Sequence, residues 1–96
     1  MMDAIHVKKF GSVITDKDVG SEILRLAKEQ LSTHGRVQID LEGVVTMATY
    51  CAKQIFGTLY IEMGPENFFK NISIANASDD VKSLIQLGIL NALNAD

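Results

Sequence analysis

The sequence predicts an α/β domain built on one small mixed or mostly parallel sheet of about four strands, with helices mainly on one face. Three observations carry that reading. Stretches around Ile5–Lys8, Val37–Leu41 and Asn71–Asn76 alternate apolar and polar residues with the period of two that a half-buried strand shows. The segments between them repeat their apolar residues every three or four positions, which is the helical period, and strands separated by helices imply parallel neighbours joined by right-handed crossovers. Parallel strands covered on both faces read as continuous apolar runs. Here Ile5, Val7, Val37, Ile39, Leu41, Ile72 and Ile74 fall on one face and His6, Lys8, Gln38, Asp40 and Ser73 on the other, so the second face is expected to be polar and at least partly open.

Taken in order, Ile5 and Val7 alternating with His6 and Lys8 make the first strand, Phe10-Gly11-Ser12 a turn, and Val13-Ile14 a second strand expected to pair back on the first. Thr15, Asp16 and Asp18 supply cap-type residues for a helix running to about Leu31, with Val19, Ile23, Leu24, Ala27 and Leu31 in one stripe. Gly35 suits its left-handed stop. After the Val37–Leu41 strand, Glu42-Gly43 breaks the pattern and Val44-Val45-Thr46-Met47-Ala48 forms an apolar bridge. Thr49 then reads as the N-cap of a helix whose apolar positions are Ala52, Ile55, Phe56, Leu59 and Met63, closed by Gly64-Pro65. Residues 65–70 read as a short helical turn with Pro at its first position, followed by the strand at Asn71–Asn76. Ser78 with Asp79 and Asp80 caps a last helix, the acids lying near its positive end. Its residues Val81, Leu84, Ile85, Leu87, Ile89, Leu90 and Leu93 run nearly all round, more than one buried stripe requires.

Ninety-six residues suffice for one domain, taken as 1–96, and 47% hydrophobic residues fit a folded chain. A net charge of −3 with no basic stripe speaks against a nucleic-acid-binding surface. The single cysteine, Cys51, rules out an internal disulfide and points to a reducing compartment. The start, MMDAIHVKKF, lacks the apolar core of a signal peptide, and no window has the length of a membrane span, so a soluble cytoplasmic domain without membrane contact is expected. No Gly-rich phosphate loop, metal-spaced His/Cys cluster or Ser-His-Asp set is present, and no cofactor is implied.

The segment Asp40–Gly57, DLEGVVTMATYCAKQIFG, resembles the signature of the STAS domain, named for sulfate transporters and anti-sigma factor antagonists. That signature is a strand ending in Asp-x-Ser-Gly-Val, a few apolar residues, then Asp-Ser-Ser/Thr-Gly-Leu-Gly opening a helix. Asp40, Gly43 and Val44 match its first part, Thr49 falls where the regulatory serine stands, and Gly57 matches a later small residue. Ala48 replaces the acid, Tyr50 the second hydroxyl residue, and Cys51 with Lys53 the two glycines. With Phe10-Gly11 early and Ile-Phe-Gly in the middle helix, the chain looks closer to a divergent STAS-like family of bacterial domains without assigned function. The resemblance implies a non-enzymatic regulatory switch that binds a protein, in anti-sigma factor antagonists an ATP-binding kinase that phosphorylates the serine. It places the phosphorylation candidate at Thr49 and the partner surface at Thr46, Met47, Ala48, Thr49, Tyr50 and Lys53.

Competing readings follow from the same residues. Thr49 can serve as a plain cap, or its helix amino end can hold a small anion or nucleotide. Tyr50 is either a partner contact or rests on the bend with its hydroxyl in water. Cys51 reads as a small buried thiol rather than a nucleophile. His6 reads as an exposed strand histidine rather than a phosphocarrier, and Asp40 and Glu42 as solvated or capping groups rather than an acid pair. Gly57 inside a helix suggests close packing onto the sheet. The last helix either packs in a groove or makes a homodimer.

Overall fold

A computed structural model describes residues 3–94; the first two residues of the stretch read above as free of a signal peptide, and the last two of the chain, lie outside it. Three strands, β1 (Ile5–His6), β3 (Val37–Asp40) and β5 (Ile72–Ala75), form one sheet in the order β1-β3-β5. A second ladder joins β2 (Val13–Ile14) to β4 (Thr46–Met47), and every pairing is parallel. The α/β class is as the sequence predicts, with five short strands in place of about four.

Two expectations at the amino end are corrected. The alternation at Ile5–Lys8 does not continue as strand, because Val7–Phe10 wind into a 3-10 turn whose carbonyl at Lys8 accepts from Gly11. Nor does Val13-Ile14 pair back on β1. It pairs forward with the middle of the apolar bridge, Val13 opposite Thr46 and Ile14 opposite Met47. The two ladders are thus successive parts of one pairing between two chain segments. The 3-10 turn lies on one segment and the Leu41–Val45 bend on the other. The first segment carries one residue more between its strands, so the register shifts by one across the interruption.

Helix α1 (Lys17–His34) starts where Asp16 Oδ1 accepts from the Asp18 amide at 2.7 Å and stops at Gly35 in the left-handed region. It runs a turn past Leu31 because Ser32-Thr33-His34 are exposed and nothing but Gly35 ends it. The middle helix is continuous but not uniform: α2 (Thr49–Ala52), a π segment (Lys53–Gly57) and α3 (Thr58–Met63), with the Thr58 amide reaching back to the Lys53 carbonyl. Gly64 at φ 81° and Pro65 at the first position then start α4 (Pro65–Asn71). Ser78 caps α5 (Asp79–Leu93), its hydroxyl accepting from Val81 at 3.2 Å.

The π segment coincides with the crossing of α5. Gly88 brings α5 so near the joint between α2 and the π segment that a Cβ there would sit 2.6 Å from the Ala52 carbonyl carbon and the Lys53 nitrogen. A Cβ on Gly57 would stand 2.7 Å from the Ala92 Cβ. Gly57 is therefore required by the last helix and not, as its position suggested, by the sheet. Side chains of α1, the middle helix and α5 meet over the sheet in one core with Ile23, Ile39, Leu41, Ile55, Phe56, Leu59 and Val81. On the other face His6, Gln38 and Ser73 are exposed, so the sheet is open on its polar side as the alternation predicts.

Candidate functional site

The corner where β4 runs into α2 stands at the carboxyl end of the parallel strands, the end at which open α/β sheets bind ligands. Its backbone is fixed by the second ladder. The Val45 amide donates to the Ser12 carbonyl at 2.7 Å and the Ala48 amide to Ile14 at 2.8 Å. The Ala48 carbonyl, one residue on from β4, accepts from the Cys51 and Ala52 amides at 3.0 and 3.1 Å. Ala48 is thus the N-cap position, and no side chain caps the helix. The expectation that Thr49 fills that role is corrected: ladder pairing holds the chain extended through Ala48, and Thr49 becomes the first helical residue. Its hydroxyl has no hydrogen-bond partner among the described residues, on a half-buried side chain.

The neighbours of Thr49 divide into core and surface. Met47, Cys51 and Ala52 are buried. The Met47 side chain therefore faces inward, away from the partner surface on which the resemblance placed it. Thr46 and Ala48 are half-buried and Lys53 is exposed, one helical turn after Thr49. Tyr50 is 48% exposed, but its hydroxyl is not left to water: it donates to the Thr15 carbonyl at 2.6 Å, and Lys17 Nζ lies 5.5 Å from the ring centre. That bond ties the amino end of α2 to the residues preceding α1 and gives the exposed ring a fixed orientation. Val45, 65% exposed, and Val13 add apolar surface at the second ladder. A shallow groove lined by Val45, Thr46, Asp80, Ser83 and Leu84 extends this surface to the first turns of α5. On the other flank Lys17, Tyr50, Lys53, Gln54 and Thr58 line a groove of about 430 Å³.

Chemistry by Cys51 is not favoured by its setting. Burial, and then the Asp16 carboxylate, push the thiol pKa upward, and its Sγ lies 3.7 Å from the Asp16 carbonyl oxygen as a weak donor. His6 is exposed on the open face, as expected, but it is not alone. Its Nδ1 lies 3.2 Å from Asp40 Oδ2. Of the two expectations for Asp40, solvated or capping, the structure shows the second: it is only 8% exposed, and Oδ1 accepts from the Glu42 amide at 2.9 Å and the Asn76 side chain at 3.1 Å. The Glu42 amide, then Asn76 and His6, hold the Asp40 carboxyl below the usual carboxylate range. Asp40 is thus a clamp that closes the bend after β3 and joins all three strands of the sheet. Glu42 points to solvent and forms no acid pair with it. Sequence reasoning missed this clamp because it requires the strand order β1-β3-β5, which brings His6 and Asn76 to either side of Asp40; the one local signal is Asn76, which takes a left-handed φ of 59°.

Among the described residues no group of three or more His, Cys, Asp or Glu side chains could hold a metal ion, and no helix is long and apolar enough to cross a membrane. A family model for a STAS-like domain of unknown function matches residues 19–82, from the first turn of α1 to the first turn of α5, so that the Thr49 corner lies well inside the match. No curated protein and no solved structure matches the chain.

Proposed function

The chain belongs to the family of STAS-like domains of unknown function, and from that premise we propose that it is a non-enzymatic regulatory module that binds another protein through the corner around Thr49. The observation that carries the reading is the composition of that corner. Thr49, whose hydroxyl has no hydrogen-bond partner among the described residues, lies in the chain between exposed Val45 and exposed Lys53 and next to the oriented ring of Tyr50, on a backbone fixed by two strands. An aromatic anchor and apolar neighbours on a rigid support are what protein-binding hot spots use.

In its finer form the proposal is of the anti-sigma-factor-antagonist type, with a kinase-type ATPase as partner and Thr49 as the modified residue. A phosphate would add roughly −1.5 to −2 charges at the first turn of a helix, where the Thr49 and Tyr50 amides have no acceptor among the described residues. Lys53 stands one turn away to receive it. The modification would therefore leave the fold intact and change the sign of the surface that meets the partner. Intact-mass measurement after incubation with ATP and a cognate kinase-type ATPase tests it: one added phosphate, absent from Thr49→Ala, is expected, and an unmodified wild type would refute it.

The groove lined by Lys17, Tyr50, Lys53 and Gln54 favours one second reading, a small-anion or nucleotide site, since two ammonium groups and an aromatic ring converge on it. A ligand binding only the folded chain raises its melting point. A nucleotide that raises the melting point of wild type and not of Lys17→Ala/Lys53→Ala would favour this reading over protein binding.

A further inference from the structure

Strand β5 ends the sheet, and among the described residues its outer side carries no neighbouring strand. We propose that an extended acidic–apolar segment of a partner protein adds to this edge, pairing with β5 as the sheet's next strand. The backbone supplies the first argument. Ala75 turns its carbonyl inward to accept from Leu41 at 2.8 Å, so by alternation Ile72 and Ile74 direct theirs outward. The Ile72 amide is taken by the Phe68 carbonyl, which leaves the Ile72 carbonyl and both backbone groups of Ile74 to an incoming strand. Those three groups are what strand addition pairs with.

The two sides of that edge supply the second. Toward the helices, Phe68, Phe69, Ile74, Ile85 and Ile89 line an apolar groove of about 250 Å³ with Lys82 at its rim. At the amino ends of β3 and β5, reaching onto the open face, Arg36, Gln38, Lys70 and Ser73 share a second, mixed groove with Val37 and Ile72, and Phe69, 71% exposed, belongs to both. An added strand sends successive side chains to opposite faces. One set would enter the apolar groove and the other would meet Arg36 and Lys70. Among the described residues neither groove is lined by a carboxylate, although the whole chain has a net charge of −3. Glu66, one turn before Lys70, forms no ion pair with it.

Charge therefore selects the occupant. A second copy meeting this edge would bring Arg36, Lys70 and Lys82 against their own images, the arrangement by which edge strands avoid pairing with themselves. A guest with acids alternating with aliphatic residues satisfies both sides together.

The probe is the capped peptide Glu-Ile-Glu-Val-Glu-Ile-Glu, labelled with fluorescein and titrated with the full chain. Saturable binding is expected, at least tenfold weaker for Glu-Glu-Glu-Glu-Val-Ile-Ile of the same composition and for the alternating peptide with N-methylated amides. Phe69→Glu and Lys82→Glu, both at exposed positions, should weaken it at least tenfold, whereas Thr49→Asp should leave it unchanged. In an amide correlation spectrum the Ile74 resonance should move on binding. No binding, equal binding of the scrambled or N-methylated peptide, or a dimer of this chain that Phe69→Glu dissociates would overturn the proposal.

Discussion

Gly88→Ala puts the helix crossing to the test. In an ordinary helix the change from Gly to Ala stabilises by about 1 kcal/mol. Here the new methyl would meet the Ala52 carbonyl carbon and the Lys53 nitrogen at 2.6 Å and the Ala52 Cβ at 2.8 Å. Carbon atoms rest at roughly 3.5–4.0 Å, so α5 or the joint of the middle helix must move by about 1 Å. The atoms in the way are mostly backbone, with no rotamer to yield, which puts the overpacking cost near the upper end of the usual 1–3 kcal/mol. The net effect is a destabilisation of about 2 kcal/mol, or a fall in melting point on the order of 10 °C for a domain of this size. Gly20→Ala is the control. There the obstacle is the Gln54 side-chain oxygen, on an amide that can swing aside from Lys17 and Ser21, so stability within about 1 kcal/mol of wild type is expected. Urea unfolding of the three proteins reads the result. A Gly88→Ala protein as stable as wild type would refute the reasoning about the crossing.

Two further outcomes follow from the buried groups. Cys51 should resist iodoacetamide at pH 8 in the native protein and react at the rate of an ordinary thiol once unfolded in urea; rapid native alkylation would contradict its burial and raised pKa. Asp40, held below its usual 3.8, favours the folded state above that pH, and its contribution is lost as pH falls through the lowered value. Asp40→Asn should therefore flatten the decline in stability below about pH 4, seen as a smaller difference between urea midpoints at pH 3 and pH 6, and an unchanged difference would remove Asp40 from the acid response.

What the sequence displays and what it conceals divide along physical lines. The strand at Val37–Asp40, the stop at Gly35, the Pro65 start and the Ser78 cap are local, because each depends on neighbours within one helical turn or on simple alternation. The 3-10 turn at Val7–Phe10 was hidden by alternation that ran on past the end of the ladder. Strands β2 and β4 are two residues each, too short to show a period, and only their mutual pairing defines them. That pairing also displaces Thr49 from the N-cap. At the site, the chain order located the corner itself, while the orientation of Tyr50 depends on Thr15, 35 residues away. The His6 and Asn76 arms of the Asp40 clamp and the identity of the neighbour that Gly57 admits, Ala92, are likewise set by tertiary packing.

Affinity capture on the wild type, Thr49→Asp, Val45→Glu and Phe69→Glu, with the retained protein identified and quantified by mass spectrometry, tests the central reading most directly. One partner held by wild type and by Phe69→Glu, and reduced at least tenfold by both Thr49→Asp and Val45→Glu, is the result expected of a binding surface at the strand-to-helix corner. Equal retention by all four, with the variants folded, would contradict it.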